Sequence, residues 1–333
     1  MKVLVTGGGG FLGRYIVEKL LARGYSVRVF SRGRYDDLSK KGVEIIQGDL
    51  RSYSSVIDAC NGMDVVFHVA ALAGVWGSSK DYYDINVTGT ENVLHGCMEN
   101  GVEKLIHTSS PSVIFGRDDI KGLSEDECPY PKKYLCEYAR TKAIAERTVL
   151  EAHEHYGFPT VALRPHIIWG PGDNHLIPRL IERAMSGKLK KVGDKKNLVD
   201  IVYVENAADA HLNALDALSK GSDAAGKAYF ISQGEPVNLW DWIDALLDKV
   251  GAPKITRSVS FNAAYRAGAL LETLYRIFCI KDEPIMTRFV ALQLAKSHYF
   301  DISAARKDLG YAPKISTKEG LDRLVASFKG EGA

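Results

Sequence analysis

Residues 5–13 read Val-Thr-Gly-Gly-Gly-Gly-Phe-Leu-Gly and follow directly on the first strand-forming run, Met1–Val5. In that place Gly7, Gly10 and Gly13 form a phosphate-binding turn for a dinucleotide. Gly7 permits a tight strand-to-helix turn, Gly10 leaves room for a pyrophosphate against the backbone, and Gly13 lets the next helix lie close to the sheet. Phosphate charge meets the free N–H groups at that helix's start, so Phe11 and Leu12 join the candidate cofactor contacts. The competing reading, a flexible N-terminal loop, is countered by the flanking strand and by the amphipathic helix expected at Phe11–Arg23.

Outward from this turn the first half alternates strand and helix. Strands are expected at Lys2–Thr6, Ser26–Ser31, Glu44–Gln47, Val65–His68 and Lys104–Thr108, and again over Phe158–Arg164. Helices are expected at Phe11–Arg23, Tyr53–Cys60, Tyr82–Asn100 and Cys136–His155. Short β-rich runs alternating with helical patterns predict an α/β fold, a Rossmann-like doubly wound parallel sheet. The second half is less regular: a Pro/Gly-rich loop at Pro165–Asp173, helices at Ile177–Ser186, Asn206–Leu218, Trp240–Val250 and Phe261–Phe278, and a short strand at Val199–Val204. We expect residues 1–170 to be mainly the dinucleotide-binding core and 171–333 mainly a smaller C-terminal substrate lobe, with chain excursions between them.

The chain has 333 residues and a formal net charge of +2. That length buries a core without staples, and so small a charge implies no nucleic-acid partner. The five cysteines, Cys60, Cys97, Cys128, Cys136 and Cys279, form no close metal-ligand pair, and no metal is expected. Their odd number and irregular spacing suggest free thiols in a reducing cytosol. The apolar start is a strand feeding a Gly turn and not a secretory segment. Phe261–Ile280 comes nearest to a membrane span, but Arg266, Glu272 and Arg276 make it an amphipathic or cap helix. A transient membrane contact there is left open.

The second strand ends Val29-Phe30-Ser31-Arg32, where an acidic side chain for the adenosine ribose is missing. Ser31 and Arg32 suit a ribose phosphate, with Arg34 in support, which favours NADP(H) over NAD(H). The competing readings are a solvated basic turn, or Asp36 or Asp37 folding back to the ribose. Asp49 suits the adenine amino group, with Leu50 beside the ring; its bland role is a helix cap. His68-Val69-Ala70-Ala71 ends the fourth strand where the nicotinamide side passes, making Ala70 a contact and His68 a structural residue.

Tyr138 and Lys142 stand four residues apart, on one helix face. A phenol and an ammonium so placed act together: the lysine stabilises the tyrosinate and the tyrosine exchanges a proton with a carbonyl oxygen. The bland reading is a core Tyr and a surface Lys. His107-Thr108-Ser109-Ser110 supplies a second wall, with Ser110 the candidate partner of the substrate oxygen and Ser109 a competing register. Asn86 is a candidate for holding a water that links Lys142 to solvent, against a role in helix packing.

With Gly7, Gly10 and Gly13, Asp49-Leu50, Asn86, Ser110, and Tyr138 with Lys142 in place, the chain resembles an extended short-chain dehydrogenase/reductase over essentially its full length. Leu163-Arg164-Pro165-His166, Ile168–Asp173 and Asn197–Asn206 resemble the 3β-hydroxysteroid dehydrogenase branch, and the whole chain resembles that branch's bacterial members acting on 2-alkyl-3-oxoalkanoic acids in olefin biosynthesis. The resemblance implies Tyr138 as acid/base, Lys142 as its orienter, Ser110 as carbonyl partner, and transfer of the 4-pro-S hydride. It implies NADPH-dependent reduction of a long-chain 2-alkyl-3-oxo acid to the 3-hydroxy acid, ahead of β-lactone formation and decarboxylation. It makes a homodimer and an assembly with other olefin-pathway enzymes expectations, in the cytoplasm, with any membrane association through that assembly. The main competing activity is oxidation of a 3β-hydroxysteroid or a sterol 4-carboxylate, the latter with decarboxylation. A sugar-nucleotide epimerase and a noncatalytic cofactor-sensing module rank below it. For the substrate carboxylate, Arg179, Arg183 and His166 are candidates, each with surface ion pairing as its bland alternative.

Overall fold

The computed structural model describes residues 1–330. Strands β1 (Lys2–Thr6), β2 (Ser26–Ser31), β3 (Glu44–Gln47), β4 (Val65–His68), β5 (Lys104–Thr108), β6 (Thr160–Pro165) and β7 (Lys227–Ile231) form one sheet of seven strands. Their spatial order is β7-β6-β5-β4-β1-β2-β3, and every neighbouring pair is parallel. In β1, Val3 and Val5 enter the cluster on one face and Leu4 the cluster on the other, and all three are fully buried. A strand without a polar side needs cover on both faces. Helix α1 (Phe11–Ala22) sets Ile16, Val17 and Leu20 against the Val3/Val5 face. Helices α2 (Tyr53–Cys60), α3 (Gly89–Glu99) and α4 (Glu137–Tyr156) cover the Leu4 face through Val56, Leu94 and Val149. Helix α4 stops at Gly157, whose φ of +64° is left-handed and costs glycine nothing.

The chain turns one way from β1 to β2 and β3, and the other way to β4 and β5. A crevice therefore opens at the carboxyl ends of β1 and β4, where open α/β sheets bind ligands. The expected continuous helix Tyr82–Asn100 is a correction. It begins at Ser79, capped by Ser78, and passes through a π-helical turn at Asp84–Thr88 before α3. Such turns recur at functional sites, and periodicity alone does not reveal them. This one carries Asn86.

Beyond residue 170 the chain crosses between layers. Helix α5 (Leu176–Met185) belongs to the smaller lobe, but α6 (Val204–Ala217) packs on α1 and β7 forms the sheet edge beside β6. Helices α7 (Leu239–Lys249), α8 (Phe261–Ile277) and α9 (Arg288–Ala295) then build the lobe around a second core that includes Trp169, Trp240 and Leu246. The first half also crosses over: Ile120–Leu123 pairs with His298–Phe300 in the lobe's small sheet. Two local expectations change. Val199–Val204 divides into Leu198–Val199 and Val202–Tyr203, which join different sheets. Within the expected loop Pro165–Asp173, Ile168–Trp169 pairs with Val202–Tyr203. Among the described residues no helix is long and apolar enough to cross a membrane.

Candidate active site

The crevice is a cleft of about 630 Å³ that takes in both the glycine turn and the Tyr138 wall. Gly7 adopts φ +70°, and a Cβ there would stand 2.8 Å from Ala70 Cα. A Cβ on Gly13 would stand 2.2 Å from the Gly7 carbonyl oxygen, so a side chain at either position would force β1, β4 and α1 apart. Gly10 caps α1, and a Cβ there would stand 3.3 Å from the Gly7 carbonyl oxygen, while Phe11, Leu12 and Ala70 complete this wall. The turn is thus bare of side chains where phosphates would meet backbone N–H groups, and a dinucleotide suits it.

At the adenosine end Ser31, Arg32, Asp49 and Leu50 line the cleft. Ser31 Oγ donates to Gly33 O at 3.1 Å, and Gln47 holds the turn by donating to Arg32 O at 2.8 Å. The Arg32 side chain is exposed and makes no ion pair among the described residues, whereas Arg34 Nε donates to Gln47 Oε1 at 3.2 Å. Asp37 is bound by Arg14, and neither Asp36 nor Asp37 lines the cleft. Asp49 takes Arg51 Nε at 2.9 Å and Nη2 at 2.7 Å, and that guanidinium holds its carboxyl below the usual carboxylate range. The cap of α2 is Ser52, not Asp49.

At the other end Tyr138, Lys142 and Ser110 line one cleft. Lys142 is almost wholly buried; its Nζ donates to Thr108 O at 2.7 Å and lies 3.2 Å from His107 Nε2. Burial pulls the ammonium down to about 8, against an upward pull from Glu146 one turn along α4. Burial raises the Tyr138 phenol above its ordinary value, and hydrogen bonding from Ser110 acts in the opposite direction. Ser109 is buried, beside Glu146, while Ser110 keeps its side chain half-exposed in the cleft.

Asn86 stands behind this wall and not in it. Its Oδ1 accepts from Leu72 N at 2.7 Å, and its Nδ2 donates to Leu72 O and to Thr141 Oγ1, both at 3.1 Å. The amide is occupied in pinning the Leu72 backbone beside the cleft, and it has no hydrogen bond to Lys142. His68 bonds Thr6 Oγ1 at 2.8 Å and Thr90 Oγ1 at 2.9 Å; burial, then the charge of Lys142, lowers it to about 3, so it stays neutral.

Two features escaped the sequence reading. His107 is fully buried and is held neutral by the same two causes, with its Nδ1 unpartnered and its ring 5.2 Å from that of His68. Glu146 is buried against Arg164, with contacts of 2.9 and 2.7 Å, and takes Tyr130 Oη at 2.6 Å. Burial alone would raise its carboxyl, but the Arg164 charge and these hydrogen bonds outweigh it and hold the group ionised. The spacing of 146 and 142 on α4 was a readable signal; the partners from β5 and β6 were not. Two candidates for a substrate carboxylate are taken. His166 is buried with Nε2 2.6 Å from His298 Nδ1, and Arg179 pairs with Glu283 at 2.6 Å.

Residues 4–261 match the 3-beta hydroxysteroid dehydrogenase/isomerase family, and the chain belongs to it. It is therefore an oxidoreductase of the extended short-chain dehydrogenase/reductase type, with an NAD(P)-binding α/β fold and a carbonyl or alcohol substrate. It is 48% identical over 328 residues to the 2-alkyl-3-oxoalkanoate reductase of Stenotrophomonas maltophilia, covering 98% of this chain and 99% of that protein. It is 39% identical to the sterol-4-alpha-carboxylate 3-dehydrogenase, decarboxylating, of Homo sapiens, covering 98% and 87%. Among solved structures it superposes on the UDP-glucose 4-epimerase of Thermus thermophilus complexed with NAD, with a TM-score of 0.76, 27% identity and 99% of each chain covered.

Proposed function

We propose that the chain reduces long-chain 2-alkyl-3-oxoalkanoic acids to 2-alkyl-3-hydroxyalkanoic acids with NADPH, in the long-chain olefin route. The observation that carries this reading is full-length likeness, at 48% identity in each case, to 2-alkyl-3-oxoalkanoate reductases from two bacteria. Ser110, Tyr138 and Lys142 on one cleft wall supply the chemistry that such a reaction needs. A nicotinamide cofactor held in this cleft would supply the hydride for the substrate carbonyl.

Ser110 holds the ketone oxygen by donating its hydroxyl proton into a hydrogen bond. The Tyr138 phenol delivers a proton to that oxygen as negative charge develops on it. Lys142, tethered to Thr108 O, lines the same cleft as the phenol, and its positive charge lowers the cost of the phenolate that forms during the reaction. With a value of about 8, Lys142 is mainly ammonium at pH 7. Asn86 is a positioning residue: it ties the Leu72 backbone at the cleft to Thr141 on α4, next to Lys142. Ser31 and Arg32 would hold the ribose phosphate that distinguishes NADP from NAD; both line the cleft, whereas the nearby acids Asp36 and Asp37 do not. Asp49 and Leu50 would hold the adenine, and Gly7, Gly10, Phe11, Leu12, Gly13 and Ala70 would line the path of the pyrophosphate and the nicotinamide side. Residues 171–333 mainly form the substrate lobe. The enzyme works in the cytoplasm as a homodimer, beside the other olefin-pathway enzymes.

The likeness to sterol-4-alpha-carboxylate 3-dehydrogenases supports a second reading, oxidation of a 3β-hydroxysteroid or sterol 4-carboxylate. One panel separates the two. A 2-alkyl-3-oxo acid, a 3-oxosteroid and a 4-carboxysterol are each assayed with both cofactors by nicotinamide absorbance, with the 3-hydroxy acid run in reverse. Turnover of the alkyl acids with NADP(H) is expected. Turnover confined to sterols with NAD would refute the proposal.

A further inference from the structure

Exposed apolar side chains gather at one place. Of the fourteen large hydrophobic residues exposed among the described ones, six lie between positions 270 and 285: Leu270, Leu274, Ile277, Phe278, Ile280 and Ile285. Ile277, Phe278 and Ile285 are 67, 69 and 71% exposed. Positions 270, 274, 277 and 278 follow helical spacing and make one stripe along α8. The opposite side is locked to the lobe. A Cβ on Gly268 would stand 2.6 Å from the Thr287 carbonyl carbon, and buried Glu272 accepts from Arg288 N at 2.6 Å and Nε at 2.8 Å. The helix therefore holds its apolar stripe outward, although turning it inward would bury that surface.

Charge says what covers this stripe. Arg266, Arg276 and Lys281 flank it without a carboxylate partner among the described residues. Glu272 is taken by Arg288 and Glu283 by Arg179, which leaves Asp282 as the acid without an ion pair in this segment. Two copies of the face would set like charges against each other, whereas an anionic surface complements both the stripe and its rim. Ile280 also lines a second cavity of about 920 Å³, with Trp76, Tyr275 and Arg276, beside the start of α4. Trp76 Nε1 donates to Ile280 O at 3.3 Å and Arg276 lies over its ring, so this cavity borders the segment that carries the stripe.

We propose that the outward face of α8 and the turn through Ile285 is a peripheral docking surface for an anionic phospholipid bilayer. The apolar stripe enters the acyl boundary, and the three cations meet lipid phosphates.

The test is co-sedimentation of the full chain with vesicles of phosphatidylcholine alone, and of phosphatidylcholine mixed equally with phosphatidylglycerol. Binding to the mixed vesicles is expected, weakening as salt rises. The double variant Ile277→Ser/Phe278→Ser should lose at least about tenfold in partition, because it removes two large apolar groups from the interface. Arg266→Glu/Lys281→Glu should lose binding to the anionic vesicles by at least about the same factor, with two favourable charges reversed. All four positions are exposed and outside the cofactor cleft, so NADPH affinity and the circular dichroism spectrum should stay as in the parent chain. Absence of binding to either vesicle, or unchanged binding in both variants, would overturn the proposal. So would a wild-type dimer that becomes monomeric in Ile277→Ser/Phe278→Ser without any vesicle binding, since the face would then belong to a second copy. Vesicle binding is read without turnover, so it succeeds or fails separately from the substrate assignment.

Discussion

Replacing Lys142 with Met tests the electrostatics of the site through stability as well as through catalysis. The ammonium is buried and titrates near 8, against an ordinary value of 10.5. Below pH 8 the lysine is charged in both the folded and the unfolded chain, and the folded chain bears the cost of burying that charge. Between about 8 and 10.5 the folded chain releases a proton that the unfolded chain keeps. The unfolded state then binds more protons, so this group makes the parent chain more stable as pH rises. The shift corresponds to about 3 kcal/mol between neutral pH and pH 10.5. Lys142→Met lacks the group, so the stability difference, variant minus parent, should fall by about 3 kcal/mol over that interval. The lost hydrogen bond to Thr108 O adds an offset with little pH dependence, and titrations elsewhere largely cancel between the two proteins. Urea unfolding of both chains at pH 7, 8, 9 and 10 measures the difference. A difference that stays flat across the series would refute the buried-ammonium account, whatever its sign. Reductase activity should be lost at every pH, and a gain in stability at pH 7 would show the site holding its charge at the expense of the fold.

Tyr138→Phe should cut kcat by about 10²- to 10⁴-fold while NADPH affinity, read by fluorescence titration, changes only a few-fold; near-parent turnover would reject the phenol as the acid. Arg32→Ala should weaken NADPH binding by about tenfold, the low end for a charge-assisted contact on an exposed side chain, and leave NADH binding unchanged. Equal losses for both cofactors would remove the phosphate contact. Glu146→Gln leaves buried Arg164 without its counter-charge and should cost about 3–5 kcal/mol in urea unfolding. It should also move the Lys142 titration to lower pH, because the one upward pull on that ammonium is gone; an unmoved pH profile would contradict this.

Much of the fold was legible because its signals are local. Strand alternation and helix periodicity locate β1 to β5 and α1, and the Gly7–Gly13 spacing marks the turn between the first strand and helix. Tyr138 and Lys142 stand at four-residue spacing on one helix, so their place on the same cleft was readable without tertiary knowledge. The seventh strand was missed because Lys227–Ile231 is a short buried run whose partner β6 lies some sixty residues earlier. The π-turn at Asp84–Thr88 was missed because the stretches on either side, Ser79–Tyr83 and Gly89–Glu99, are themselves helical and hide the short turn between them. His166 and Arg179 looked available as carboxylate receptors only while their partners His298 and Glu283, more than a hundred residues on, were unseen.

The order of residues along the chain carries whatever depends on neighbours within a turn or a strand: the phosphate turn, the parallel α/β layering and the Tyr–Lys pair. What Lys142 can do chemically depends on groups from other elements, namely Thr108 and His107 from β5, Arg164 from β6 acting through Glu146, and the layers that exclude water. Coulomb and desolvation energies follow distance and dielectric, not sequence separation. Only the packed molecule brings those groups within a few ångströms of the ammonium, and that is what sets its charge.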